Sequence, residues 1–301
     1  MATKFIEVPL VENTFGLKLF DYEKNFPLTY WRQVFGDYWT ISAYTSALYV
    51  ILLFGGRWYM SSRAPFKLNK LLTIWNVGLA IMSIYAFCRV APEFIFVMLG
   101  KNGFHNTICE WPEHNGATAF WSWILALSKI VELGDTAFIV LRKQNLLFLH
   151  WYHHVTTLMS WWVMYHWYEP VQQWYVVMNS FVHSFMYTYY ALRSLKIRVP
   201  RPIAMFITTI QLLQMVAGVT VSLYSYWIMS ENPANCPHRN WFGLKVSFAI
   251  YVPYTILFAK LFIDSYLVKP RKGPGPGASE KNGSLKNGNG VQTSRTEKKQ
   301  A

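Results

Sequence analysis

Three histidines fall at i, i+3 and i+4 in the run His150-Trp151-Tyr152-His153-His154. In a helix that spacing puts all three imidazoles on one face. A neutral imidazole is both a nucleophile and a proton carrier near neutral pH. Taken singly, each would serve equally well as a hydrogen-bonded core residue; three together beside an apolar segment point to a site. A second polar set, Lys129, Glu132, Asp135 and Thr136, spans about 120° of helical arc. Its members are either an ion pair joining two helices or the polar wall of a reaction site. In a third set Asn179, His183 and Tyr187 are successive i, i+4 neighbours, with Tyr190 one turn further. Thr208, Gln211 and Gln214 form a fourth, for which ordinary helix–helix hydrogen bonding is the simpler account.

The elements that must position these residues are membrane helices. The chain has 301 residues, 53% hydrophobic and only 14% charged, about half the charged fraction of a soluble domain. Apolar stretches of about 20 residues, the length that crosses a bilayer, recur near 39–56, 71–91, 118–140, 146–165, 171–192, 203–229 and 241–266. Lipid-exposed backbone must satisfy its own hydrogen bonds, so each is expected to be helical; the short alternating segments of a barrel are absent. Polar residues inside such spans face a bundle interior or a cavity. The reading is an all-α integral membrane protein with seven transmembrane helices at 39–268, an N-terminal segment at 1–38 without a secretory signal, and a tail at 269–301.

Charge sets the orientation. Segments 57–70, 141–145 and 193–202 hold ten basic residues and no acid, against Lys101 and Arg239 in the intervening loops. By the positive-inside rule the basic loops and the tail face the cytosol and the N-terminus faces the lumen. Cys109 and Cys236 then fall in lumenal loops, where a disulfide is expected, two unpaired thiols being the alternative. The tail, rich in Gly, Pro, Asn and Lys, is expected to be disordered. It ends Lys298-Lys299-Gln300-Ala301, a di-lysine pattern read in the cytosol as a retrieval signal to the endoplasmic reticulum.

Taken in order, Lys129-x-x-Glu132-x-x-Asp135-Thr136, His150-x-x-His153-His154, Asn179-x-x-x-His183-x-x-Met186-Tyr187 and Thr208-x-x-Gln211-x-x-Gln214 resemble the four signature boxes of the very-long-chain fatty acid elongase family. The resemblance covers roughly residues 20–268. The forms His150-Trp-Tyr-His-His154 and Glu132-Leu-Gly-Asp-Thr136 are similar to the subgroup acting on saturated and monounsaturated chains near palmitate length. It implies condensation of an acyl-CoA with malonyl-CoA to 3-ketoacyl-CoA, CoA and carbon dioxide, with no cofactor and no metal. It also implies that His153 takes the acyl group, while His150, His154 and His183 orient it and stabilise developing charge. Lys129 and Arg142 would meet CoA phosphates or the malonyl carboxylate, and Glu132, Asp135, Asn179, Tyr187 and Gln211 would line the substrate site. Helices two to seven would enclose an acyl tunnel. Membrane lipid, other enzymes of the elongation cycle and a second copy of the chain are the expected partners, and nucleic acid is not.

Two other classes compete. A di-iron membrane oxygenase or desaturase needs about eight histidine ligands. The chain has eight histidines in all, but His105, His114, His166 and His238 fall at the lumenal side, leaving four. A non-enzymatic seven-helix receptor would share the topology but leaves the histidine cluster and the retrieval signal without a purpose.

Overall fold

The computed structural model of the protein describes Val8, residues 10–12 and residues 15–268. The tail, with Lys298 and Lys299, lies outside the described residues. Among those residues the chain is all-helical, apart from one isolated bridge between Val11 and Asn115. Short helices α1 (Asp21–Lys24) and α2 (Leu28–Asp37) lead into α3 (Thr40–Met60), with a 57° bend between α2 and α3. Then come α4 (Asn69–Leu99), α5 (Gly103–Cys109), α6 (Gly116–Glu132), α7 (Gly134–Leu141), α8 (Phe148–Trp167), α9 (Gln172–Ser194), α10 (Arg201–Glu231) and α11 (Trp241–Phe262). A π turn at Ile263–Leu267 closes the last helix. Local chemistry starts several of these. The Asn115 and Asn240 side chains accept from the backbone N–H groups of Thr118 and Gly243, as N-caps do, and Pro202 stands in the first turn of α10, where its missing N–H costs nothing.

Helices α4, α10 and α11 with its π turn are each long and apolar enough to cross a membrane, and the bent pair α2–α3 reaches that measure when taken together. Helices α8 and α9 are long enough, at 20 and 23 residues, but carry too many polar side chains to pass. The bundle is inside out: Asn179, Ser180, His183 and Ser184 of α9 are buried, while Tyr44, Trp58 and Ile74 are 74%, 79% and 69% exposed. So continuous an apolar surface is stable only against lipid. The chain is a multi-pass membrane protein.

Packing runs from α4 to α9, α10, α11, α8, α6 and back to α4, closing a six-helix ring, while α3 packs outside it against α7 and α8. At Gly218 of α10 a Cβ would collide with the Tyr251 ring of α11, so glycine is what lets these two helices close up.

Two sequence expectations change. The third apolar segment is not one helix over 118–140 but two, broken at Leu133. There the bonds Leu133 N to Ile130 O and Thr136 N to Leu133 O tighten the chain to i→i−3 spacing, and the Trp75 indole occupies the room a Cβ on Gly134 would need. Lys129, Glu132, Asp135 and Thr136 therefore do not share one direction. The second segment, expected to end near 91, stays helical to Leu99, because Arg89 and Glu93 are paired inside the protein rather than facing lipid. The segment 1–38 contains α1 and α2; Phe26 between them, with Leu28 and Phe35 of α2, joins the core formed by α6 and α8.

Candidate active site

A buried ion pair within α6, Lys129 with Glu132, reaches α9 through Asn179. Lys129 Nζ donates to both Glu132 oxygens, at 2.8 and 3.1 Å, and to Asn179 Oδ1 at 2.8 Å; Ser128 Oγ adds a bond to Glu132 at 2.8 Å. Because Lys129 holds the Asn179 carbonyl, the amide nitrogen must face His183, and it donates to His183 Nε2 at 3.0 Å. The His183 proton then sits on Nδ1, 3.9 Å from Glu132. Three ionisable groups and one amide form a single neutralised cluster, the condition for burying charge without ruinous desolvation.

Beyond the break at Leu133 the next two residues turn elsewhere. Asp135 accepts from Trp75 Nε1 at 2.6 Å and from the Tyr187 hydroxyl at 2.9 Å. Thr136 Oγ1 contacts the Tyr49 hydroxyl at 2.8 Å and His150 Nε2 at 2.9 Å. The two boxes on α6–α7 and α8 thus touch directly.

His153 and His154 differ from His150 and His183. Neither ring makes a hydrogen bond among the described residues. Their neighbours are other rings: His150 and His154 lie 4.5 Å apart, His153 and His154 5.6 Å, and Tyr254 of α11 lies 5.4 Å from His153. Two cavities flank them. One is lined by His150, His154, His183, Asp135, Tyr187 and Gln211 among others and reaches Leu147, Tyr190, Ala204 and Tyr266 at one end of the bundle. The other runs in the opposite direction past Trp161, Met164, Tyr165 and Tyr251. Both are lined by His153, Asn179, Gln214 and Met215. An unbonded imidazole stands where a polar chamber meets a mostly apolar one. Such a site can hold an elongated molecule with its polar end in one chamber and its chain in the other, with the reactive carbon at His153.

The structure distributes the remaining candidate residues unevenly. Glu132, Asp135, Asn179, Tyr187 and Gln211 line the polar chamber together with the four histidines. Lys129 stands behind that wall, buried and spent on Glu132 and Asn179, so it reaches the chamber only through the amide. Arg142 lies outside both chambers, and its guanidinium bonds to Asn69 Oδ1 at 3.2 Å; the break at Leu133 and the end of α7 carry it away. At the other end of the bundle Cys109 and Cys236 form a disulfide across 127 residues. Among the described residues no group of three or more His, Cys, Asp or Glu converges to hold a metal ion. Met215, Tyr254 and Tyr49 are functional neighbours that sequence reading misses. In a chain with 19 tyrosines and 11 methionines none carries a distinguishing spacing.

A family model described as ELO, GNS1/SUR4 family, matches residues 34–274. The chain is 40% identical over 250 residues to "Very long chain fatty acid elongase 6" of Drosophila melanogaster, covering 83% of this chain and 79% of that protein. It is 42% identical over 245 residues to "Putative fatty acid elongase 3" of Caenorhabditis elegans, with 81% and 75% covered. Against "Very long chain fatty acid elongase 6" of Homo sapiens it is 38% identical over 257 residues, with 85% and 96% covered.

Proposed function

The chain belongs to the ELO, GNS1/SUR4, family of fatty acid elongases, and from that premise we propose that it condenses a saturated or monounsaturated acyl-CoA near palmitate length with malonyl-CoA through an acyl-His153 intermediate. The observation that carries the reading is the position of His153: ring nitrogens unbonded, at the junction of the two chambers, between histidines whose own Nε2 atoms are engaged.

The chemistry follows. A neutral imidazole nitrogen of His153 attacks the thioester carbonyl and expels CoA, whose thiolate takes up the imidazole N–H proton. The malonyl group then loses carbon dioxide, so no strong base is needed to make the carbon nucleophile. That carbon attacks the acyl-imidazole carbonyl, giving 3-ketoacyl-CoA, and the released imidazole regains a proton from solvent. Hydrogen-bond donors around the polar chamber stabilise the thioester enolate, and the mostly apolar lining of the other chamber disfavours water beside the acyl-imidazole.

The wider arrangement is part of the same proposal. Seven spans, α3, α4, α6–α7, α8, α9, α10 and α11, cross the membrane, and the six-helix ring without α3 encloses the acyl tunnel. The Arg201 guanidinium lies 5.8 Å from the ring of Tyr266, which lines the polar chamber; Arg201 suits CoA phosphates better than Lys129 or Arg142 does. With that mouth in the cytosol, the disulfide end faces the lumen of the endoplasmic reticulum, and Lys298 and Lys299 serve as the retrieval signal.

Purified protein given radiolabelled malonyl-CoA and acyl-CoAs of graded length tests the reaction, with 3-ketoacyl-CoA as the expected product. Acyl-CoA alone tests the intermediate: a burst of up to one equivalent of CoA is expected, with the acyl group mapped to His153. CoA release only after malonyl-CoA is added would establish a ternary complex instead. Loss of product with every acyl-CoA would overturn the whole reading.

A further inference from the structure

Tyr49 stands on α3, outside the six-helix ring, in a span that contributes none of the four polar boxes. Yet it is buried, and its hydroxyl begins a chain that ends on the histidine cluster: Tyr49 to Thr136 at 2.8 Å, Thr136 to His150 Nε2 at 2.9 Å. Counting protons gives the direction. Thr136 has one hydroxyl proton and two partners. If that proton went to Tyr49, the phenol proton would have no acceptor among the described residues. With the phenol donating to Thr136 and Thr136 donating to His150, both protons are used, and His150 carries its own on Nδ1.

We propose that Tyr49, acting through Thr136, is a positioning residue for the acyl-transfer site, holding His150 in one tautomer and one ring orientation. His150 passes that orientation on by packing 4.5 Å from His154, which in turn meets His153. The first span is then a working part of the site rather than an anchor beside it. The inference rests on the histidine cluster being the acyl-transfer centre. The Tyr49 ring also fills space beside Leu53, Met60 and Val140, and phenylalanine fills it equally, so Tyr49→Phe removes the hydroxyl while keeping the packing.

Steady-state kinetics with malonyl-CoA and a palmitate-length acyl-CoA, alongside thermal melting, test this on five proteins: wild type, Tyr49→Phe, Thr136→Val, Thr136→Ser, and Tyr49→Phe with Thr136→Val. Tyr49→Phe and Thr136→Val should each lose about tenfold in kcat, the worth of one buried hydrogen bond, with KM for both substrates and the melting temperature unchanged. Thr136→Ser should restore turnover, since it keeps the hydroxyl. The double variant should lose no more than the worse single one, because both break the same chain. Full turnover in Tyr49→Phe, a Thr136→Ser as slow as Thr136→Val, or a loss that follows the melting temperature would each overturn the proposal. An inactive wild type would overturn the elongase reading itself, and this inference with it.

Discussion

His114 and His153 lie at opposite ends of the helical bundle. His114 has both ring nitrogens engaged, by Glu93 at 2.7 Å and Tyr168 at 2.9 Å, and the other Glu93 oxygen takes the Asn115 backbone N–H. Around it Glu23 is held by Arg89 and Trp121, and Glu169 by Arg239 and the Asn240 backbone. These groups tie α1, α4, α6 and the loops together, with the Cys109–Cys236 disulfide beside them. His153 is surrounded by as much polarity, but its nitrogens are left unpaired and face two cavities. Burial of ionisable groups does not separate structure from chemistry here. What separates the two rings is that His114 has a partner on each nitrogen, while His153 has none among the described residues and lines both cavities.

The sharpest way to break the comparison is to exchange the outcomes. His153→Ala should abolish 3-ketoacyl-CoA formation, by about 10³-fold or more, and leave the melting temperature nearly unchanged. His114→Ala should do the reverse, leaving Glu93 buried without its ring partner, and the protein that remains folded should turn over normally. If His114→Ala slowed turnover at full stability, the disulfide end would belong to the chemistry as well.

Arg89→Met sharpens it further. Removing one member of a buried pair costs about 3–5 kcal/mol because the other charge is stranded. Replacing both, as Arg89→Met with Glu23→Leu, should recover much of the loss; chemical denaturation in detergent would measure it. Cys109→Ser or Cys236→Ser should cost about 2–4 kcal/mol, and the double variant no more, since either change opens the same loop. Non-reducing mass spectrometry that found both thiols free would remove the disulfide from the account.

The smaller effects concern the chambers. Val246→Trp, in the wall of the apolar chamber, should shift the preferred acyl chain shorter. Each methylene kept out costs about 0.8 kcal/mol, roughly fourfold in kcat/KM. An unchanged length profile would mean that the chain lies elsewhere. Gln211→Ala should slow turnover only a few-fold, because its amide touches the Met186 sulfur at 3.5 Å and no histidine.

Much of this molecule was written locally. Bilayer thickness sets the length of a span, so the apolar segments mark α3, the start of α4, and α8–α11 to within a few residues. The i, i+3 and i+4 spacings say which polar residues share a helix face, and their order carries the family. None of this says which way a face is turned. Whether Lys129, already within reach of Glu132 on its own helix, met substrate or the Asn179 amide depended on how α6 and α9 rotate against each other. The break at Leu133 depended on the indole of Trp75, 58 positions before it in the chain. The same break lets Thr136 turn to Tyr49 and His150, and Arg142 stands outside both chambers. Tyr49, Met215 and Tyr254 came to the histidines only when the helices packed. Periodicity is a property of one helix, while a site with unpaired nitrogens facing two cavities is a property of at least four, and only tertiary packing decides which hydrogen-bonding groups are left over.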